Sequence, residues 1–471
     1  MHRIARRRLV AALGVCLLLF GAPLSARAQD SDAAIAARLR DAALKDEWGY
    51  RFVETLTTEI GQRLAGTPSE ARAAIWAEKT LKAAGFDEVQ RESFPITAWL
   101  RGEEDAAVVT PAPQHLVVTA LGGSIATPKQ GVTAEIALFR RYSDLLAAPA
   151  GSLAGKIAVV TQRMPRVMDG SAYGAANPIR RLGPSEAAKR GAIAYLLRSL
   201  GTDDHRLAHT GATNYEAGAP RIPAAALSNP DADQLERLAA RGKVTVHLVL
   251  TPRSEESAQS WTVSAQLNGS ARPEEIVLIG AHLDSWDLGT GAIDDGAGDA
   301  IVAGAAHLVA QLHPRPKRSL RVVLFGAEEM DYSGPAYAKA HAAEVPHIVL
   351  AAESDFGARK IYAWLKPLGS DKTGFVATLG DALTPLGIFL APEPALRAGD
   401  DIAPLRKLGV PVIAMRQNGL DYFDIHHTAD DTFDKIDRAE LDQNIAAWAA
   451  MAYLAAQSDL DFRKLAADAQ R

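Results

Sequence analysis

Ile276-Val277-Leu278-Ile279-Gly280 runs without a break into Ala281-His282-Leu283-Asp284, and a loop of glycines then leads to Asp294-Asp295-Gly296-Ala297-Gly298 at the head of a helical stretch, 297–312. A short apolar run without alternation reads as a strand buried on both faces. The order then repeats: 320–325 runs into Glu328-Glu329, 348–352 into Glu353-Ser354-Asp355, and 410–415, after a polar loop, reaches His426-His427-Thr428. Helical stretches at 335–343 and 437–457 complete the alternation. Strands alternating with helices predict an α/β fold, a sheet covered by helices on both faces.

Outward from this region the texture changes. From 116 to 250 short β-rich runs (156–161, 192–197, 244–250) are separated by Gly- and Pro-rich turns and read as a separate unit. Before it, 33–46 and 70–84 have helical composition, the second opened by the capping sequence Thr67-Pro68-Ser69 and stopped by Gly85. Asn268-Gly269-Ser270 fits a glycosylation acceptor, but Asn-Gly between alternating residues predicts a hairpin turn.

The first 28 residues read as an export signal: basic residues from His2 to Arg8, an apolar run to about Ala22, and Ala26-Arg27-Ala28 as the cleavage site. The run falls short of the roughly 20 residues that span a bilayer, so no membrane anchor is expected after cleavage. Arg6-Arg7-Arg8 fits an ordinary charged segment better than a twin-arginine signal. Cys16, the only cysteine, lies within that run, which leaves a thiol-free mature chain suited to a periplasm or the exterior. The 471 residues carry 48% hydrophobic and 23% charged side chains, ordinary globular values. Net charge is -5, and removing five signal arginines makes the mature chain more acidic, which argues against nucleic-acid binding.

In an open α/β sheet, ligands bind beyond the carboxyl ends of the strands, where these acids and histidines cluster. Imidazole and carboxylate suit zinc, and the lack of a mature cysteine excludes a thiolate site. Singly, each residue has a plainer reading: a surface histidine, or an acid pair favoured at a helix N-terminus. Their joint occurrence after successive buried strands points to a metal-dependent hydrolase. Ser285 lies near His282 and Asp284, but no Gly-x-Ser-x-Gly turn accompanies it.

The strings His282-Leu283-Asp284-Ser285-Trp286-Asp287, Gly291-Ala292-Ile293-Asp294-Asp295-Gly296, Ala327-Glu328-Glu329, Glu353-Ser354-Asp355 and His427-Thr428-Ala429-Asp430-Asp431-Thr432 resemble the co-catalytic two-zinc exopeptidases, and within them the carboxypeptidase Q branch, also called plasma glutamate carboxypeptidase. Ile60-Gly61-Gln62-Arg63 and Trp99-Leu100-Arg101-Gly102-Glu103-Glu104 resemble its N-terminal part. Leu153-Ala154-Gly155-Lys156-Ile157 and Arg221-Ile222-Pro223-Ala224 resemble its inserted protease-associated domain. The resemblance implies a zinc-exopeptidase-like mixed sheet divided as signal peptide 1–28, catalytic domain 29–115, insert 116–252 and catalytic domain with a di-zinc site 253–471.

It further implies two Zn²⁺ per chain: His282 and Asp355 on one, Glu329 and His427 on the other, Asp294 bridging. Glu328 matches the general base. Asp284 would accept the second imidazole N–H of His282, and Asp295 sits where the family often has a cis Asp-Asp peptide. His426 adjoins His427, but the family places the ligand just before Thr-x-x-Asp-Thr. Asp401 matches an aspartate near the pocket, after Asp400 where the branch commonly has threonine. Tyr422 is a candidate oxyanion donor, though a packed tyrosine is the plainer reading. His205 and His209 lack convergent carboxylates and suggest a cleft cap or dimer contact.

The implied activity is an exported exopeptidase acting on dipeptides or the N-terminal residues of short peptides. Alternatives are a carboxypeptidase, a single-zinc glutaminyl cyclase, which keeps only an Asp–Glu–His subset, and a metal-free receptor-like protein. Related enzymes suggest a homodimer.

Overall fold

Five strands form the sheet beneath the site: β1 (Glu88–Leu100), β2 (Arg253–Leu267), β3 (Arg272–His282), β4 (Arg318–Phe325) and β5 (Ile348–Glu353), in spatial order β1-β2-β4-β3-β5. β3 pairs in parallel with both β4 and β5, while β1 and β2 add an antiparallel flank. The computed structural model describes residues 31–471, so the expected signal over 1–28 lies outside the described residues. Asp32–Arg471 forms one compact unit. No helix among the described residues is long and apolar enough to cross a membrane.

Strand alternation explains the layering. Val277, Ile279 and Ala281 of β3 and Val322 and Leu324 of β4 join one core with the helices Ala297–Ala310 and Arg438–Gln457. Ile276 and Leu278, with Val323 and Phe325, face the opposite core with Tyr337 and Ala338 of the helix Ser333–Ala340. Side chains two apart share a face, so an unbroken apolar run supplies both cores. Arg438–Gln457 is buried almost all round from Leu441 to Ala456, as a helix of mostly alanine and other apolar residues at the centre of a layer should be.

A second, eight-stranded sheet is built from strands between Glu104 and Leu250, with a parallel run through Val132–Phe139, Ile157–Val160, Ala194–Arg198 and Ala224–Leu227. The chain is therefore a mixed α/β protein with a helix-flanked sheet and a second β-rich sheet. Glu104–Thr110 already belongs to that second sheet, ahead of the expected start at 116.

Two local expectations fail. The run 410–415 is not a strand of the main sheet: Val412 makes one isolated bridge to Ala351, and the strand that follows, Ala414–Gln417, joins a separate three-stranded sheet. Pro411 has no N–H to extend a ladder. Nor does Asn268-Gly269 turn a hairpin, because β2 and β3 are not neighbours but lie on either side of β4.

Candidate metal centre

The groups arrive from just beyond a strand, from the start of a helix or, for His427, from the turn after the short helix Tyr422–Ile425. His282 is the last residue of β3. After β4 the chain turns through Gly326 and Ala327, the latter at φ 65°, and presents Glu328 and Glu329. β5 ends at Glu353, two residues before Asp355. Asp294 lies at the N-terminal side of the helix Ala297–Ala310, joined to Asp295 by a cis peptide. His427, at φ 61°, is the other left-handed residue of the site. Non-glycine residues in this conformation collect where a fold enforces a functional geometry.

The side chains form two clusters that share Asp294, one with His282 and Asp355 and one with His426 and His427, and Glu329 joins the second through His427. Asp294 Oδ1 lies 3.1 Å from His282 Nε2, which is 3.4 Å from Asp355 Oδ1. Asp294 Oδ2 lies 3.2 Å from His427 Nε2, which is 3.1 Å from Glu329 Oε2. The far ring nitrogens meet carbonyls: His282 Nδ1 is 3.1 Å from the Asp284 oxygen, and His427 Nδ1 is 3.2 Å from that of Thr210. In the neutral tautomer Nδ1 then holds the hydrogen, and each Nε2 lone pair faces carboxylate oxygens. That arrangement is repulsive without a cation between the groups.

Two further observations fit a divalent cation. Asp294 Oδ2 and Glu329 Oε1 are buried and have no hydrogen-bond partner among the described residues. Burial alone would lower the His282 imidazole, yet the carboxylates of Asp284, Asp294 and Asp355 raise it well above its ordinary value. His427 is likewise raised against burial, chiefly by Glu329. A field that holds positive charge on both rings is one that attracts a metal ion. The donor set of two imidazoles and three carboxylates fits zinc.

The surrounding groups hold this geometry, in part differently from expectation. The Asp284 carboxylate lies 3.4 Å from His282 Nδ1, but it accepts the backbone N–H of Glu328 at 3.0 Å and of Glu329 at 3.4 Å, while its main-chain oxygen meets the imidazole. Asp295 accepts from the His282 N–H at 3.1 Å and from Gly298 at 3.0 Å. His426 stacks on His427 with ring centroids 3.5 Å apart, and its Nε2 is 3.5 Å from Asp294 Oδ2. Ser285 is fully buried and donates to the Trp286 carbonyl, which leaves no exposed hydroxyl for a nucleophile.

Glu328, Tyr422, Asp400 and Arg397 line a cavity of about 500 Å³ over the centre, roofed by Tyr173, Asn177 and Arg180 of the helix Ser171–Arg181. Burial pushes the Glu328 carboxyl well above its usual range. Tyr422 packs against Phe356 and His426. Asp401 does not reach this cavity: it is buried, with Oδ1 accepting from Ser333 Oγ at 2.5 Å, and Asp400 takes the lining position.

Sequence reasoning assigned no role to three organising residues. Arg63, fully buried, donates to the carbonyls of Leu283 at 2.5 Å, Thr290 at 2.7 Å and Gly291 at 2.9 Å, and so shapes the loop between His282 and Asp294. Arg101 grips both Asp287 oxygens at 2.9 Å and Glu104 at 2.6 Å. Trp286 inserts into the core of the second sheet beside Trp99, so closely that a Cβ on Gly122 would meet its ring at 2.0 Å. Their only signal is that Arg63, Arg101 and Trp286 all fall inside stretches that resemble the two-zinc exopeptidases.

Acids and imidazoles gathered around a shared carboxylate at the carboxyl ends of a mixed sheet have the form of a metallohydrolase centre. Comparison with known proteins sharpens the class: the model of Peptidase family M28 matches residues 262–452. Carboxypeptidase Q from Bos taurus is 36% identical over 86% of this chain and 85% of its own length. A solved Peptidase M28 precursor from Shewanella amazonensis SB2B is 44% identical, covers 91% of this chain and 98% of its own, and superposes with a TM-score of 0.89. A zinc aminopeptidase from Bacillus subtilis, 18% identical, shares the fold at TM-score 0.61 over 88% of this chain and 95% of its own. The chain belongs to peptidase family M28 and is a metallopeptidase.

Proposed function

We propose that this chain is an exported, two-zinc exopeptidase of short peptides, with His282 and Asp355 on one zinc, Glu329 and His427 on the other, and Asp294 bridging. The observation that carries the reading is the division of Asp294, one oxygen toward each imidazole at 3.1 and 3.2 Å. Bound zinc would polarise the scissile carbonyl and acidify the attacking water. Glu328, which lines the cavity beside these groups, would take the water's proton and deliver it to the leaving amine. Asp284 positions that base by holding the backbone N–H groups of Glu328 and Glu329. Tyr422, at the cavity wall, is placed to donate to developing negative charge, whereas Asp401 acts only through its neighbours.

The segment containing the second sheet serves as an insert that roofs the cleft. A cavity of about 500 Å³ suits a dipeptide or a chain end, within the range of ordinary small-molecule sites. On direction, the name of the Bos taurus relative favours C-terminal release, the second of the sequence-based readings, over aminopeptidase action. The likeness to the aminopeptidase bears on fold alone. A dipeptide satisfies both directions, so blocked substrates separate them.

The test is cleavage of a dipeptide panel, with N-acetyl and C-amide versions, by zinc-loaded protein with and without a chelator. Chelator-sensitive cleavage that survives acetylation and is lost on amidation supports the carboxypeptidase direction. The reverse pattern restores the aminopeptidase, and cleavage of unblocked dipeptides alone marks a dipeptidase. Fully loaded protein that cleaves no peptide overturns the proposal.

A further inference from the structure

We propose that Asp203 and His209 are a positioning pair that grips the His426-His427 turn and through it aims His427 at the metal centre; this rests on the two-zinc reading above. Both side chains are only 1% exposed. His209 Nε2 lies 2.6 Å from Asp203 Oδ2, and Nδ1 lies 2.8 Å from the carbonyl oxygen of His426. Each ring nitrogen thus faces an oxygen, one on the Asp203 carboxylate and one on the His426 main chain, so the ring bridges the two. The carboxylate is filled on its other sides, with Oδ1 accepting from the His205 N–H at 2.8 Å and Oδ2 from Asn229 Nδ2 at 3.2 Å.

The fit is close. A Cβ on Gly201 would fall 2.3 Å from His209 Nε2 and 2.6 Å from Asp203 Oδ2, so residue 201 must lack one. The backbone of the next residue completes the grip: the Thr210 N–H donates to the His427 carbonyl at 3.0 Å, and the Thr210 carbonyl accepts from His427 Nδ1 at 3.2 Å. The latter bond selects the tautomer whose Nε2 faces Glu329 and Asp294. His427 itself sits at φ 61°, a conformation that a residue with a Cβ keeps only when its surroundings hold it. His209 thus gives a ring N–H to a carbonyl 217 positions away, adjoining the proposed ligand, rather than to its own segment. Outer groups that orient a metal-binding histidine generally change metal affinity or activity 10- to 100-fold when removed.

The test uses the full mature chain, stripped and reloaded, with zinc affinity measured by chelator competition and folding followed by circular dichroism. His209→Ala is expected to weaken one of the two zincs by about 10- to 100-fold and leave the other unchanged, with the folded spectrum retained. His209→Asn, whose amide nitrogen takes the place of Nδ1 and keeps a donor for the His426 carbonyl, recovers part of that loss. His205→Ala, whose ring is exposed, alters neither zinc. Where His209→Ala does not fold, His209→Asn and Asp203→Asn are read for the same selective shift. Two zincs held as tightly by a folded His209 variant as by the unaltered chain would overturn the proposal, as would failure of all three variants to fold, which would make the pair a plain structural support. An unaltered chain that binds no zinc would instead overturn the two-zinc reading itself.

Discussion

Glu328 and Glu329 differ by one position and point differently because the left-handed turn at Ala327 and the Asp284 carboxylate fix the backbone between them. Both line the cavity, but Glu329 points at His427, 3.1 Å away, whereas Glu328 stands 4.0 Å from His282 Nε2. Glu328→Gln keeps the shape and removes the proton acceptor. It should lower kcat by roughly 100- to 10,000-fold while the zinc content, measured by elemental analysis, stays at two per chain. A parallel loss of zinc would make Glu328 a ligand instead. At this scale the residues that gather around Asp294 were largely legible in the sequence, because acids and a histidine directly after the buried strands β3, β4 and β5 stand out against ordinary surface charge. Arg63 and Arg101 were not: their partners Leu283 and Asp287 lie 220 and 186 positions away, and local pattern carries no such information.

Elements were read well where their ends carry chemistry of their own. The long C-terminal helix begins one residue after Asp437, whose Oδ1 accepts from the Glu440 N–H at 3.0 Å. Asp437→Ala should destabilise the protein by about 1 kcal/mol in denaturant titration, the usual cost of a lost cap. Partners across a sheet were harder to read. Glu104–Thr110 buries Ala106 and Val108 on one face, but its sequence Glu-Asp-Ala-Ala-Val-Val-Thr does not alternate in polarity, so nothing local says which sheet it joins. β2 and β3 follow each other in sequence yet leave room for β4 between them, so the Asn-Gly turn signal misled. Arg321 of β4 pairs with Glu344 at 2.7 Å, and this contact holds the Glu344 carboxyl down at about 2. A depressed carboxyl adds stability that is complete above its unfolded value near 4.5 and fades as pH falls toward 2. Glu344→Gln should therefore lower Tm at pH 7, with the gap to the unaltered protein closing between pH 4.5 and 2. A gap that persisted at pH 2 would mean that the ion pair is not its source.

At the scale of the molecule, the second sheet and the elements around the candidate metal centre meet through Arg101, Trp286 and the His209-Thr210 segment. Arg101 and Asp287 are 11% and 13% exposed, so Arg101→Met would leave Asp287 and Glu104 charged and unpaired in a largely dry contact. A loss of about 3 kcal/mol in unfolding free energy is expected, with activity falling further than stability alone explains. The alternation of strands and helices made the α/β plan legible from sequence. How the inserted sheet docks was not, because it depends on side chains such as Trp286 that leave one core to fill another. The proposed pair of zinc ions sharing the Asp294 carboxylate is tested most directly by anomalous diffraction at the zinc edge from crystals of the zinc-loaded protein. Two peaks are predicted, one between His282 and Asp355 and one between Glu329 and His427, with Asp294 between them. A single peak, or density held by residues outside this set in an active crystal, would contradict it.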